Sequence, residues 1–433
     1  MSIDKMCISC VPFLMCPCYL TQTQQVGHTT LQLGGKDPYL LGKAAAIGAA
    51  FGCCSSDSKP TYSSINLNCG CPSNAVSGRS GGASLMKEPY HVAKCVESMN
   101  KGVSDVYHAQ SAARNNDDMS RNDIIPISVK HRLGVRDASI YNAAEDKLKS
   151  DEEEAIPEAS AFIKAVTMNG DVSKVQVHAR LGLLGSFESD EDNNENAEQL
   201  WIPPTDVEST SVSATAQPKV DHKRAQYKAK KKARQATINN RSIPPLRPGV
   251  VDMLADKFPH LDFVANGGIQ SMEAVQEISS GNTSVVGSMV GRSVINHPCS
   301  FANADSLWQS DSSGTMSPSR GDVLLQYIQY CDLEEDRVRS MGVNVNSLAA
   351  LRRRLVAVPF HLFVGETGNN VYQRRIRKLA SRVERYTAKG ILIAALNEVP
   401  IESTDKSVGE FTHMDMKDYG GIERSGPLQK SIY

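Results

Sequence analysis

Residues 65–73 read INLNCGCPS, a short run that ends in Asn68-Cys69-Gly70-Cys71-Pro72. A run of this length closed by Gly and Pro predicts a buried strand, and its following loop carries a thiol. The same rhythm extends outward in both directions. The runs Thr29–Leu33, Ser63–Asn68, Ile124–Lys130, Lys174–His178, Leu261–Asn266 and Thr283–Val290 alternate with longer helix-compatible segments such as 89–100 and 272–280. Read as continuously apolar rather than alternating, these runs predict strands covered on both faces, hence a parallel α/β sheet.

Each run ends in polar or glycine chemistry. In order, the ends are Gln32-Leu33-Gly34-Gly35, Asn68-Cys69-Gly70-Cys71-Pro72, Lys130-His131-Arg132, His178-Ala179-Arg180, Asn266-Gly267-Gly268 and Gly291-Arg292. An α/β barrel builds its active site from such ends, with phosphate usually held after the last two strands. Asn-Gly-Gly and Gly-Arg suit a phosphate, because glycine admits close backbone approach and arginine supplies paired donors.

Composition bounds the rest. Of 433 residues, 40% are hydrophobic and 22% charged, with 47 basic against 48 acidic side chains and a net charge of −1. This excludes collagen-like, bulk-disordered and small disulfide-stapled chains, and the length can bury a full core. No stretch reaches the roughly 18 apolar residues of a membrane span, so no membrane association is expected. Eleven cysteines are too sparse for a disulfide framework, which predicts a reducing compartment. The pairs Cys7/Cys10 and Cys16/Cys18 are spaced too tightly for a zinc ribbon, so no metal is expected. Nor does the N-terminus read as a signal or transit peptide.

The near-neutral total hides segregation. Residues 187–198 hold six acidic and no basic side chains, whereas 218–235 hold eight Lys or Arg against one Asp. Residues 184–235 therefore read as an insertion with an acidic, disordered half and a basic, helical half. Residues 303–322 read as a linker. Beyond them Val323, Leu324, Tyr327, Ile328 and Cys331 recur at helical spacing, and 347–388 is helix-like and arginine-rich. The tail from about 400 reads as loose.

Taken together, LQLGGKDP (31–38), INLNCGCPS (65–73), ISVKHRLGV (127–135), VHAR (177–180), NNRSIPPL (239–246), FPHLDFVANGGI (258–269) and MVGR (289–292) resemble the tRNA-dihydrouridine synthase family. These are flavin enzymes that reduce a uracil base in tRNA. The likeness covers about 29–300 and, more loosely, the helical region to about 395. It implies a TIM-type (β/α)8 barrel, here lacking its first two strands, followed by an all-α C-terminal domain. The expected domains are an unmatched Cys-rich segment 1–28, an FMN-binding barrel 29–302 with the insertion, a linker 303–322, a helical tRNA-binding domain 323–399 and a tail 400–433. Val11–Leu14 is a candidate for one improvised strand.

The resemblance also implies roles. Cys71 matches the catalytic cysteine, which gives a proton to C5 of uracil while the reduced flavin gives hydride to C6. Gln32 and His178 match flavin contacts. Lys130 matches a lysine at the flavin N1–O2 edge, where a cation favours the reduced form. Asn266, Gly267, Gly268, Gly291 and Arg292 match the FMN phosphate cradle. Asn68 matches an asparagine near the target base, and Arg241 sits on a loop that approaches tRNA. Arg374 and Arg375, in the basic run 372–379, and the cluster Arg352-Arg353-Arg354 suit phosphate contacts that read tRNA shape.

The implied activity is reduction of a uridine C5–C6 bond in the tRNA D-loop, with FMN as cofactor and NADPH as reductant, in cytoplasm or organelle. Two other readings stay open. One is a tRNA-binding relative with an incomplete flavin site, and the other an FMN oxidoreductase acting on a small pyrimidine.

Overall fold

The computed structural model describes residues 7–8, 29–50, 62–73, 81–114, 124–169, 171–185, 240, 243–281, 284–304 and 317–410. Within them a seven-stranded sheet runs in the order β1 (Cys7–Ile8), β2 (Thr30–Gly34), β3 (Ser64–Cys69), β4 (Ile127–Arg132), β6 (Lys174–His178), β8 (Asp262–Asn266), β9 (Val285–Met289). From β2 to β9 every pairing is parallel. The short strands β5 (Val135–Asp137) and β7 (Gly182–Leu184) form a separate parallel pair beyond β4 and β6. The expected parallel α/β architecture is present, and among the described residues the sheet does not close into a barrel.

At the β2 edge, where a closed barrel of this type would continue with parallel strands, Cys7 and Ile8 pair antiparallel with Gly34 and Leu33. The proposed improvised strand Val11–Leu14 lies outside the described residues, as do residues 186–239, which hold most of the insertion.

The chain divides into two compact units, Met1–Gly268 with Ile278–Met289, and Ile269–Glu277 with Val290–Tyr433. In the first unit, one sheet face is apolar. Leu31, Leu33, Ile65, Leu67, Val129, Val175, Val177 and Phe263 are buried in one core with Leu41, Ala45, Val96, Met99, Phe162, Ile163, Val250 and Leu254 of the covering helices. The helices Pro38–Ala50 and Pro89–Arg114 supply part of that cover, and Ile156–Val166 and Gly249–Lys257 the rest.

The opposite face departs from expectation. Side chains two apart share a face of a strand, and this register brings together Gln32, Asn66, Asn68, Ser128, Lys130, Gln176, His178 and Asn266. Asn66, Ser128 and Gln176 are 2%, 2% and 6% exposed. The centre of this face is buried as well, yet it is built of amides rather than hydrocarbon, and its rim residues Gln32, Asn68, Lys130, His178 and Asn266 are half-buried. The alternation of INLN and VQVH carried that information.

The second unit is helical in its C-terminal part, with helices Arg320–Ser340, Val345–Ala357, Asn369–Ala380, Ala388–Leu396 and Ile401–Thr404. Leu324, Ile328 and Cys331 are buried at the expected spacing. The first of these helices begins inside the expected linker, capped by Ser319, whose hydroxyl accepts from the Asp322 amide. Residues 400–410, placed at the start of the loose tail, hold a helical turn and bridge Ser407 to Ser319. Arg320 is fully buried and ion-pairs with Glu366 at 3.0 Å. Among the described residues no helix is long and apolar enough to cross a membrane.

Candidate active site

Cys71 follows β3 by two residues, and its loop is held from several sides. The Asn68 Oδ1 accepts from the Gly70 and Cys71 amides at 3.0 and 3.1 Å. Arg132 Nε donates to the Gly70 carbonyl at 2.8 Å, and its Nη1 to the Leu181 carbonyl at 2.9 Å. The Ala83 amide donates to the Cys71 carbonyl at 2.9 Å. Each backbone donor and acceptor of residues 70 and 71 thus has a partner, so the thiol is presented from a braced backbone. Cys71 is half-buried and free, whereas Cys69 and Cys95 are buried thiols whose pKa burial raises.

Register places Lys130 opposite Asn68 on one side and Gln176 on the other. Its ammonium donates to Asn266 Oδ1 at 2.9 Å. Burial, then the charge of Arg132, lowers its pKa to about 8, while Cys71 pulls the other way. Asn266 is used at both ends, since its Nδ2 donates to the Met289 carbonyl at 2.7 Å. His178 lies opposite Asn266 in the register. Gly267 and Gly268 follow with φ of +111° and +74°, in the left-handed region that favours glycine. A Cβ on Gly267 would fall 2.8 Å from the His178 ring, so the turn and the histidine require each other's shape.

Gln32, Asn68, Cys71, Lys130, His178 and Asn266 therefore occupy the C-terminal halves of neighbouring strands or the loops just beyond them, all in the first unit. Gly291 and Arg292 belong to the second unit, where both are exposed and Gly291 precedes the helix Arg292–Asn296. Arg241 lies outside the described residues. Its neighbour Asn240 is buried and clamps the Leu183 backbone through 2.7 and 2.8 Å bonds.

The basic residues of the helical part divide. Arg374 is exposed, and Arg375 is half-exposed with Glu398 at 3.9 Å. The cluster at 352–354 is not a free basic patch. Arg352 is buried against Glu335 at 2.7 Å, and Arg353 pairs with Glu384 at 2.8 Å. Three arginines in a row on a helix must point in different directions, and here one points into the core.

Sequence reading missed Asn66, Ser128 and Gln176, and placed Arg132 only at a strand end without a role. Their signal was period-two alternation within β3, β4 and β6.

This geometry defines a parallel α/β scaffold with a thiol, an ammonium, an imidazole and amides gathered at the strand C-terminal ends. Residues 15–202 match the family described as Dihydrouridine synthase (Dus). A "tRNA-dihydrouridine(20/20a) synthase" of Synechocystis sp. is 28% identical over 309 residues, covering 71% of this chain and 62% of that protein. Proteins of the same name from Xanthomonas campestris and Xylella fastidiosa are 28% and 30% identical. The first covers 81% of this chain and 72% of its own length, the second 64% and 56%. Over these stretches the chain is similar to proteins of the dihydrouridine synthase family, and it spans about three fifths of the length of the Synechocystis relative.

Proposed function

We propose that this chain is a tRNA-dihydrouridine synthase, an oxidoreductase that reduces the C5–C6 bond of a D-loop uridine in tRNA with FMN as cofactor and NADPH as reductant. The observation that carries the reading is the braced Cys71 loop beside Lys130 on the polar sheet face. The match to the dihydrouridine synthase family over residues 15–202 and the names of the relatives support it.

The residues fit a flavin. Lys130 is a buried cation with an amide partner, a suitable neighbour for a ring edge that gains negative charge. Gly267 and Gly268 form a turn without side chains, suited to close approach by a phosphate. Bound there, the flavin would supply the hydride. Gln32 and His178 are proposed to touch its ring, and Gly267, Gly268, Gly291 and Arg292 carry the family's phosphate-contact motif.

The chain's own part in the reaction is positioning and proton transfer. Asn68 orients the loop and is proposed to face the base. The Cys71 thiol gives its proton to C5, which completes saturation of the C5–C6 bond and leaves a thiolate. Reaching that base requires it to leave its stack, which the exposed Arg374 and half-exposed Arg375 would assist by holding phosphates. A tRNA substrate places the protein in the cytoplasm or an organelle.

The antiparallel pairing at the β2 edge favours one second reading, a tRNA-binding relative without a working flavin site. The visible spectrum of the purified protein, with an NADPH-driven assay of dihydrouridine on unmodified tRNA, separates the two. Bound flavin with dihydrouridine formation supports the proposal. A colourless protein that binds tRNA and refuses added FMN supports the second reading.

A further inference from the structure

The polar face of the sheet is a chain of side-chain amides with a single direction. It starts at the Cys71 loop. Asn68 Oδ1 is committed as an acceptor by two backbone N–H groups. The Asn68 Nδ2 must then be a donor, and it donates to Gln32 Oε1 at 3.3 Å. That leaves Gln32 Nε2 to donate to Asn66 Oδ1 at 2.8 Å. Asn66 Nδ2 donates in turn to Gln176 Oε1 at 2.6 Å and Ser128 Oγ at 3.0 Å. Each amide fixes the flip of the next, so the backbone of one loop and a glutamine on β6, over a hundred residues away in sequence, share one polarity. A buried amide network satisfied at every link rigidifies what it touches.

We infer that Asn66, with Gln176 and Ser128 behind it, is a positioning residue that sets the orientation of Gln32 and, through Asn68, the backbone that presents Cys71. Asn66 is 2% exposed and acts only through the two residues at the site, Gln32 and Asn68. The consequence for the site is specific. Gln32 holds its NH2 end toward Asn66 and its carbonyl end toward Asn68, so the polarity it offers a ring edge is decided one strand away. The inference rests on the proposed role of Cys71 for its functional meaning, though not for its geometry.

The test sets two substitutions against each other. Asn66→Leu keeps volume and suits a buried position, but removes the acceptor for Gln32. Asn66→Asp keeps that acceptor and adds a charge that burial disfavours. If position 66 only fills space, Leu is the milder change; if it orients Gln32, Asp is. The readout is hydrogen exchange of the Gly70 and Cys71 amides in the full chain without substrate, followed by kcat and KM for tRNA. Asn66→Leu is expected to speed exchange at both amides about 3- to 10-fold, the size of one net hydrogen bond. It should lower kcat at near-constant KM, while Asn66→Asp, which keeps the acceptor for Gln32 but loses the donor bonds to Gln176 and Ser128, should fall between Asn66→Leu and the parent in both. Unchanged exchange in Asn66→Leu, or equal loss in both variants, overturns the inference. Should Asn66→Asp not fold, Ser128→Ala combined with Gln176→Leu strips the acceptors from an intact Asn66. Faster exchange there supports the inference and unchanged exchange overturns it. Exchange that responds as expected in a protein forming no dihydrouridine would retain the inference and remove the functional reading, so the two fail separately.

Discussion

Lys130 and Asn266, on β4 and β8, meet through a 2.9 Å hydrogen bond from the ammonium to the amide oxygen. The bond joins strands that are not neighbours in the sheet, since β6 lies between them. It holds a buried cation over the polar face and ties it to the turn at Gly267.

That burial makes the site pH-sensitive. The pKa of Lys130 is lowered from the ordinary 10.5 to about 8. Between those values the unfolded chain binds more protons at this residue than the folded one, so this group's contribution to stability rises with pH across the window. Its penalty is full below about 8 and relieved by 10.5. Lys130→Met is therefore expected to raise Tm at pH 7, and the gain should vanish as pH approaches the upper value. If the ammonium serves the reaction, kcat/KM falls as pH rises through about 8, and the residual activity of Lys130→Met lacks that alkaline limb.

Cys71→Ala should leave the fold unchanged, because the loop is braced through backbone groups and the neighbouring Asn68 and Arg132. Dihydrouridine formation is expected to drop on the order of 10²- to 10⁴-fold, the usual contribution of a positioned general acid. Turnover within a fewfold of the parent would move the proton donor elsewhere.

The Gly-Gly turn invites a paired comparison. Gly268→Ala places a Cβ against Leu246 at a positive φ of +74°, so a loss of about 2–4 kcal/mol is expected from strain and overpacking together. Gly249→Ala, at a helix start with nothing within 4 Å of the new Cβ, should instead gain about 0.4–1 kcal/mol. Denaturant midpoints of the two variants check both signs.

The arginines of the helical part should separate by role. Arg352→Met leaves the buried Glu335 with the half-exposed Arg339 at 3.3 Å as its remaining cation, and up to about 3–5 kcal/mol of stability should be lost. Arg374→Ala removes an exposed charge at little cost to Tm. In tRNA-binding titrations it should lower the salt slope by about 0.7–0.9, one phosphate contact. An unchanged slope would exclude Arg374 from the interface.

Strand positions were legible in the sequence because each run is short and bounded by polar or glycine residues. INLNC, ISVKH, KVQVH and DFVAN lie on β3, β4, β6 and β8 within a residue or two. The places of Cys71, Lys130, His178 and Asn266 at or just beyond strand ends were legible for the same reason, since strand ends in a parallel sheet all face one way. Asn66 and Gln176 were not, because a polar residue inside a run reads as an interruption until its partners on other strands are known. The Arg352 cluster failed in the opposite sense. Linear charge density cannot distinguish a basic surface from a buried ion pair whose acidic partner, Glu335, sits on another helix.

What the sequence determined by itself is therefore the local and periodic part: which segments extend, which coil, and which chemistry each strand delivers at its end. Only the tertiary structure decided which polar groups meet, through a register that aligns Gln32, Asn66, Ser128 and Gln176 into one amide chain and points it at the Cys71 loop. Burial made those choices binding, because an amide removed from water must find a partner, and only the assembled sheet supplies one.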